Sequence, residues 1–316
     1  MRTRFATAIF FGLAFLAGVL LGTFVQRAVG LGNLLRAAGV AYPTRTSAPA
    51  PAAPPTPTPL PVIPTAYRGD LALFILAGQS NMSGRAPVPP GEEVEPRAFM
   101  FGNDYRWDQA TEPLDRAIGQ VDPVARDGDA GFGPSVAFAR ASLAYRPQTA
   151  IGLIPCARGA SSISEWQRDL SDQTLYGACL KRARAASPLG QLAGVLFFQG
   201  EQDAVDATRY PKYHPLPGQW SQLFAAFVHD FRADLGAPDL PVVFAQLGPT
   251  PQGDDFPNWE LVKQQQRSTQ FPYSAMIVTD DLQYFDGLHF TVDSYRIIGS
   301  RFAQAYWDLV EQGFAR

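Results

Sequence analysis

The chain has 316 residues, 46% hydrophobic and 12% aromatic, which suits one sizeable α/β domain with an appendage. Its formal net charge of -3 provides no basic stripe, so nucleic acid is excluded as a partner. With 2 cysteines, 3 histidines and no CxxC pair, neither a thiolate zinc site nor a multi-histidine metal centre is expected.

Residues 5–25 are an uncharged apolar run preceded by Arg2 and Arg4. A bilayer-crossing helix needs about 20 such residues, and the basic flank keeps the N-terminus cytoplasmic and the rest outside. Segment 1–30 is therefore expected to be a signal anchor or a signal peptide, and the only membrane contact. Segment 31–66 is a linker whose stretch 42–64 is rich in Pro, Ala and Thr, a semi-rigid spacer that cannot build a core. The folded domain is expected over 67–316, extracytoplasmic, either tethered or secreted. There Cys156 and Cys179 could pair; two separate buried thiols are the alternative.

Within that domain five short apolar runs predict buried strands at 71–77, 149–154, 194–198, 242–247 and 275–278. Segments of helical periodicity alternate with them at 134–145, 175–186, 220–235, 259–269 and 292–311. Continuous apolar strands alternating with helices predict a parallel sheet covered on both faces. In such sheets a ligand site lies at the carboxyl ends of the strands.

The chemistry-bearing residues fall at those ends. The first strand runs into Gly78-Gln79-Ser80-Asn81-Met82-Ser83-Gly84, where Ser80 is either a nucleophile awaiting a base or a cap for the next helix. Met82 stands where a G-x-S-x-G elbow has its second glycine, so this is a different turn. Between the last strand and last helix lies Asp286-Gly287-Leu288-His289-Phe290-Thr291. One turn there can set Asp286 against one ring nitrogen of His289 and leave the other as general base. After the third strand, Gln199 is a candidate oxyanion donor. The amide of Gly133, in Gly131-Phe132-Gly133-Pro134 before a helix, is another.

Taken in order, these segments resemble the SGNH hydrolase superfamily. The nearest branch is the sialate O-acetylesterase-like and acetylxylan esterase-like carbohydrate esterases. The resemblance is carried by Gly78-Gln79-Ser80-Asn81-Met82, Gly131-Phe132-Gly133-Pro134, Gln199-Gly200-Glu201-Gln202-Asp203 and Asp286-Gly287-Leu288-His289-Phe290, from about Leu71 onward. It implies a three-layer α/β/α, flavodoxin-like fold with about five parallel strands. It implies Ser80 as nucleophile, His289 as base and Asp286 as orienting acid. The oxyanion hole would comprise the amides of Ser80 and Gly133 and the side chain of Gln199. Glu201 is a possible second orienting acid.

Residues 155–166 look like the loop after the second strand in these esterases. Arg158 there is a candidate for a sugar carboxylate or hydroxyls, with a surface ion pair as the alternative. Trp166 is a candidate for stacking on a sugar ring or for packing at the rim. Gln79, Asn81 and Glu201 complete the substrate-binding candidates. The expected activity is removal of O-acetyl groups from a carbohydrate (sialate, xylan or cell-envelope glycan) through an acetyl-enzyme, with no cofactor and no metal. The alternatives are an O-acetyltransferase using the same triad and a surface-anchored glycan-binding protein. Oligomeric state is left open.

Overall fold

A computed structural model of the protein describes residues 63–116 and 118–314; the expected anchor and nearly all of the linker lie outside them. Seven strands form one sheet: β1 (Leu71–Gly78), β2 (Ala98–Phe101), β3 (Trp107–Gln109), β4 (Ala150–Pro155), β5 (Gly190–Phe198), β6 (Val242–Ala245) and β7 (Ser274–Ile277). Six α-helices accompany them among the described residues: α1 (Ser80–Ser83), α2 (Ser135–Tyr145), α3 (Leu175–Ala186), α4 (Trp220–Leu235), α5 (Trp259–Ser268) and α6 (Val292–Phe314). No helix among the described residues is long and apolar enough to cross a membrane.

The sheet order is β3-β2-β4-β1-β5-β6-β7. All pairings are parallel except that of β3 with β2, so the expectation of about five parallel strands is corrected to six plus an antiparallel edge. The five strands predicted from apolar runs are β1, β4, β5, β6 and β7. Without β2 and β3 their spatial order is the second, first, third, fourth and fifth in sequence, the flavodoxin-like arrangement.

Central strand β1 lies between β4 and β5 and alternates its side chains between two cores. Leu73, Ile75 and Ala77 face the core built with α3, α4 and α5, where Tyr176, Phe224, Phe227 and Trp259 are buried. Phe74 and Leu76 face the core built with α2 and α6, where Phe138, Tyr295 and Phe302 are buried. Both faces being dry explains why the strand is apolar without alternation. Ile63, 3% exposed, already belongs to the first core. Cys156, at the end of β4, and Cys179, on α3, form a disulfide with Cα atoms 5.4 Å apart.

Candidate active site

β1 and β5 stay paired to their carboxyl ends, at the point where the winding direction of the chain reverses, and the loops beyond them build a cavity. Gly78 makes the close approach possible: at φ +129° its missing Cβ would sit 2.1 Å from the Phe198 carbonyl oxygen. The Gln79 amide then donates to that carbonyl at 2.8 Å, and the chain turns directly into α1, whose first residue is Ser80. No acceptor for the Ser80 amide is found among the described residues.

The loop before α6 supplies the partner groups. Its two arms are tied by the Phe285 amide to the His289 carbonyl at 2.8 Å and by the Thr291 amide to the Gln283 carbonyl at 2.9 Å. Gly287 at the tip adopts φ +90°. Asp286 Oδ1 accepts the amides of Leu288 at 3.0 Å and His289 at 2.7 Å, folding the turn onto its own carboxylate. Asp286 Oδ2 lies 2.7 Å from His289 Nδ1, and His289 Nε2 lies 3.0 Å from Ser80 Oγ. Burial pushes the Asp286 carboxyl up, but the hydrogen bonds from the His289 ring and from the two amides outweigh it and hold it below the ordinary carboxylate value. Asp286 is therefore ionised at neutral pH, and an anion facing Nδ1 favours the tautomer with its proton there and Nε2 free.

Ser80 and His289 open onto a cavity of about 600 Å³ whose other walls include Gln79, Arg126, Arg158, Gly159, Tyr210, Tyr213 and Phe256. Arg158 lines the cavity wall and is ion-paired there with Glu165. Glu201 lines the cavity at 1% exposure, and burial pushes its carboxyl up to about 7. Its Oε1 accepts Asn81 Nδ2 at 2.5 Å and it makes no hydrogen bond to His289, so Asp286 is the acid that orients the ring.

Four residues are placed differently from expectation. The Gly133 amide donates to the Glu112 carboxyl at 3.3 Å and Gly133 does not line the cavity. Gln199 is fully buried, with Nε2 donating to the Ser161 carbonyl at 2.9 Å and Asp203 Oδ2 at 2.6 Å, and Oε1 accepting from Trp220 Nε1 at 2.8 Å. Its amide braces the loops instead of facing the cavity. Trp166 is also fully buried, edge-on to Phe197 and Phe227, because the capping box of Ser162 and Glu165 turns its short helix inward. Asn81, 1% exposed, ties the serine helix to the histidine loop: Nδ2 donates to the Leu288 carbonyl at 3.2 Å and Oδ1 accepts from Tyr295 at 2.7 Å.

Asp127 was not anticipated. It is 4% exposed and its carboxylate accepts Ser83 Oγ at 2.8 Å, Arg85 Nη2 at 2.9 and 2.8 Å on its two oxygens, and the Gly159 amide at 3.0 Å. In sequence, Arg126-Asp127-Gly128-Asp129 has the composition of a solvated turn, and only the preceding apolar Pro123-Val124-Ala125 hints at burial.

The strand order and the position of the cavity define the class: a doubly wound α/β fold with its cavity at the topological switch point. Residues 70–308 match the model of the carbohydrate esterase family described as sialic acid-specific acetylesterase, and the chain belongs to that family. A probable carbohydrate esterase of Arabidopsis thaliana is 29% identical over 256 residues, covering 74% of this chain and 89% of the plant protein. The X-ray structure of that Arabidopsis protein aligns with a TM-score of 0.62 at 28% identity, over 76% of this chain and 99% of the other. NanS shares the fold with a TM-score of 0.57 at 18% identity, over 78% of this chain and 99% of its own. A carbohydrate acetylesterase from Xanthomonas citri does so with 0.55 at 21%, over 75% and 56%. The protein is a carboxylic ester hydrolase of the carbohydrate acetylesterase family, sialate O-acetylesterase-like in kind.

Proposed function

We propose that the protein is a serine esterase that removes O-acetyl groups from a carbohydrate through an acetyl-enzyme. The observation that carries this reading is the hydrogen-bonded series Ser80, His289, Asp286 opening onto the cavity. Ser80 Oγ attacks the acetyl carbonyl carbon while His289 Nε2 takes its proton, and the Ser80 amide donates to the oxyanion. Collapse breaks the ester bond, and the sugar oxygen leaves with the proton from His289. Water, deprotonated by the same nitrogen, then attacks the acetyl-serine and releases acetate. Asp286 keeps its charge throughout and stabilises the imidazolium. Every step is proton and acyl transfer among residues present, so the scheme requires no cofactor.

The mixed cavity wall, which includes Arg126 and Arg158 along with Tyr210, Tyr213 and Phe256, suits a hydroxylated sugar better than a long acyl chain. We place the domain outside the cytoplasm, held by the N-terminal apolar segment or released from it. The Cys156–Cys179 disulfide supports that compartment.

The test is hydrolysis of 4-nitrophenyl acetate, butyrate and octanoate by the domain from residue 59 onward, with Ser80→Ala in parallel. Acetate should be preferred, and the substitution should lower kcat by several orders of magnitude, on the order of 10⁴ to 10⁶. Preference for octanoate, or full activity of the variant, overturns the reading.

A further inference from the structure

We infer that the side-chain amide of Gln79 is a catalytic oxyanion donor, standing where Gln199 was expected. The inference rests on the serine esterase reading above. An indole nitrogen only donates, so the bond from Trp220 Nε1 fixes Oε1 of Gln199 toward Trp220 and Nε2 toward Ser161 and Asp203. With the carbonyl of Ser161 and the carboxylate of Asp203 accepting there, both hydrogens on that nitrogen are engaged within the core. A flipped amide would set like groups against each other at all three contacts.

Gln79 has the opposite arrangement. Its Oε1 accepts the Gly200 amide at 3.4 Å and the Gln202 amide at 3.2 Å from the β5 loop, and it stands 3.3 Å from Gln199 Nε2. Donors converging from one side fix the amide with its oxygen toward the loop and its nitrogen away from it. Nε2 of Gln79 has no hydrogen-bond partner among the described residues, and it is not sealed in the core, because Gln79 lines the cavity beside Ser80 and His289. The residue as a whole is only 2% exposed, so this nitrogen is held by packing instead of by solvent. The nucleophile is the next residue in the chain. The donor is thus neutral, unpartnered, held by packing, and carried by the residue next to the nucleophile on the wall of the same cavity, as stabilisation of a developing oxyanion requires. When Ser80 Oγ bonds to the acyl carbon, the carbonyl π pair moves onto oxygen, and Gln79 Nε2–H meets that charge together with the Ser80 amide.

The test compares Gln79→Glu and Gln79→Ala on 4-nitrophenyl acetate and on a fully acetylated monosaccharide, with Ser80→Ala as control. Gln79→Glu preserves an acceptor for the Gly200 and Gln202 amides while removing the donor. We expect kcat to fall by roughly 10² to 10³ on both esters, with KM changed by less than about threefold. At alkaline pH Gln79→Glu should be the slower and the more stable variant, since it restores the loop contacts but sets a carboxylate against the oxyanion. A purely structural Gln79 gives the reverse order of rates. Loss confined to the sugar ester assigns Gln79 to sugar binding and overturns the proposal. So does Gln79→Glu turning over within about threefold of the parent, the range in which no transition-state contact has been removed. Should Gln79→Ala fail to fold, Gln79→Glu alone decides. An inactive parent protein, or an active Ser80→Ala variant, refutes the esterase reading itself and is seen before the Gln79 variants are compared.

Discussion

At the residue scale, Asp286 engages its own turn through one oxygen and the His289 ring through the other. Replacing it with Asn preserves an acceptor for the amides but presents a neutral group to Nδ1. Where the corresponding change was made in a buried protease triad, the wrong tautomer cost about 10⁴ in kcat. The Asp286 side chain is 38% exposed, so water can partly substitute, and we expect Asp286→Asn to lower kcat by on the order of 10² to 10³ with an unchanged melting temperature. Stopped assays on 4-nitrophenyl acetate with a parallel melt check both halves. The serine, histidine and aspartate were legible in sequence because each lies in a short segment whose local turn dictates its direction. Gly133, Gln199, Trp166 and Asn81 were not, because the direction of each is set by a partner distant in sequence: Glu112, Trp220, Phe227 and Tyr295.

Elements tell a similar story. The five apolar strands and the α-helices beyond α1 announced themselves through runs and periodicity, with ends shifted by at most a few residues. β2 and β3 did not: one has four residues and the other reads Trp107-Asp108-Gln109, half-buried at a sheet edge. Neither is long enough to show a period, and β3 exists through its register with Phe99, Met100 and Phe101. The packing of α6 on α2 is just as invisible locally, and it turns on Gly299. A Cβ at that position would come within 2.5 Å of the Pro134 carbonyl and 2.6 Å of the Phe138 amide nitrogen, both backbone atoms that cannot swing aside. Gly299→Ala must push the two helices apart and should cost roughly 1–3 kcal/mol despite the better helix propensity of alanine. A melting temperature lower by about 2–10 °C is the expected readout, and an unchanged or raised value would show that α6 relaxes freely.

Over the molecule as a whole, burial pushes several carboxyls upward: Glu112 to about 8, Asp115 and Glu201 to about 7, and Asp203 to about 6. Each holds a proton in the native state that the unfolded chain releases near pH 4, so the native state binds more protons between about pH 4 and 8. Stability must then fall as pH rises through that window. Carboxyls held low, such as Asp281 near 2, are ionised in both states there and contribute no slope. Denaturant unfolding should give a higher midpoint at pH 5.5 than at pH 8. Glu112→Gln, at a carboxyl with one oxygen buried and unpartnered, should flatten the trend. The disulfide acts independently of pH: it closes a loop with a sequence separation of 23, and Cys179→Ser should destabilise the domain by about 3 kcal/mol in the same experiment.

The two groups that share the reacting proton stand 209 residues apart, one leaving the first strand of the sheet and the other entering the last helix. If Ser80 is the nucleophile proposed above, it emerges early during synthesis and remains without its base until almost the whole domain has been made. On the proposed mechanism, a chain interrupted just before the final loop has the residues of all seven strands and still carries an inert serine. On that reading, activity depends on the segment that follows the last strand as much as on the serine that follows the first.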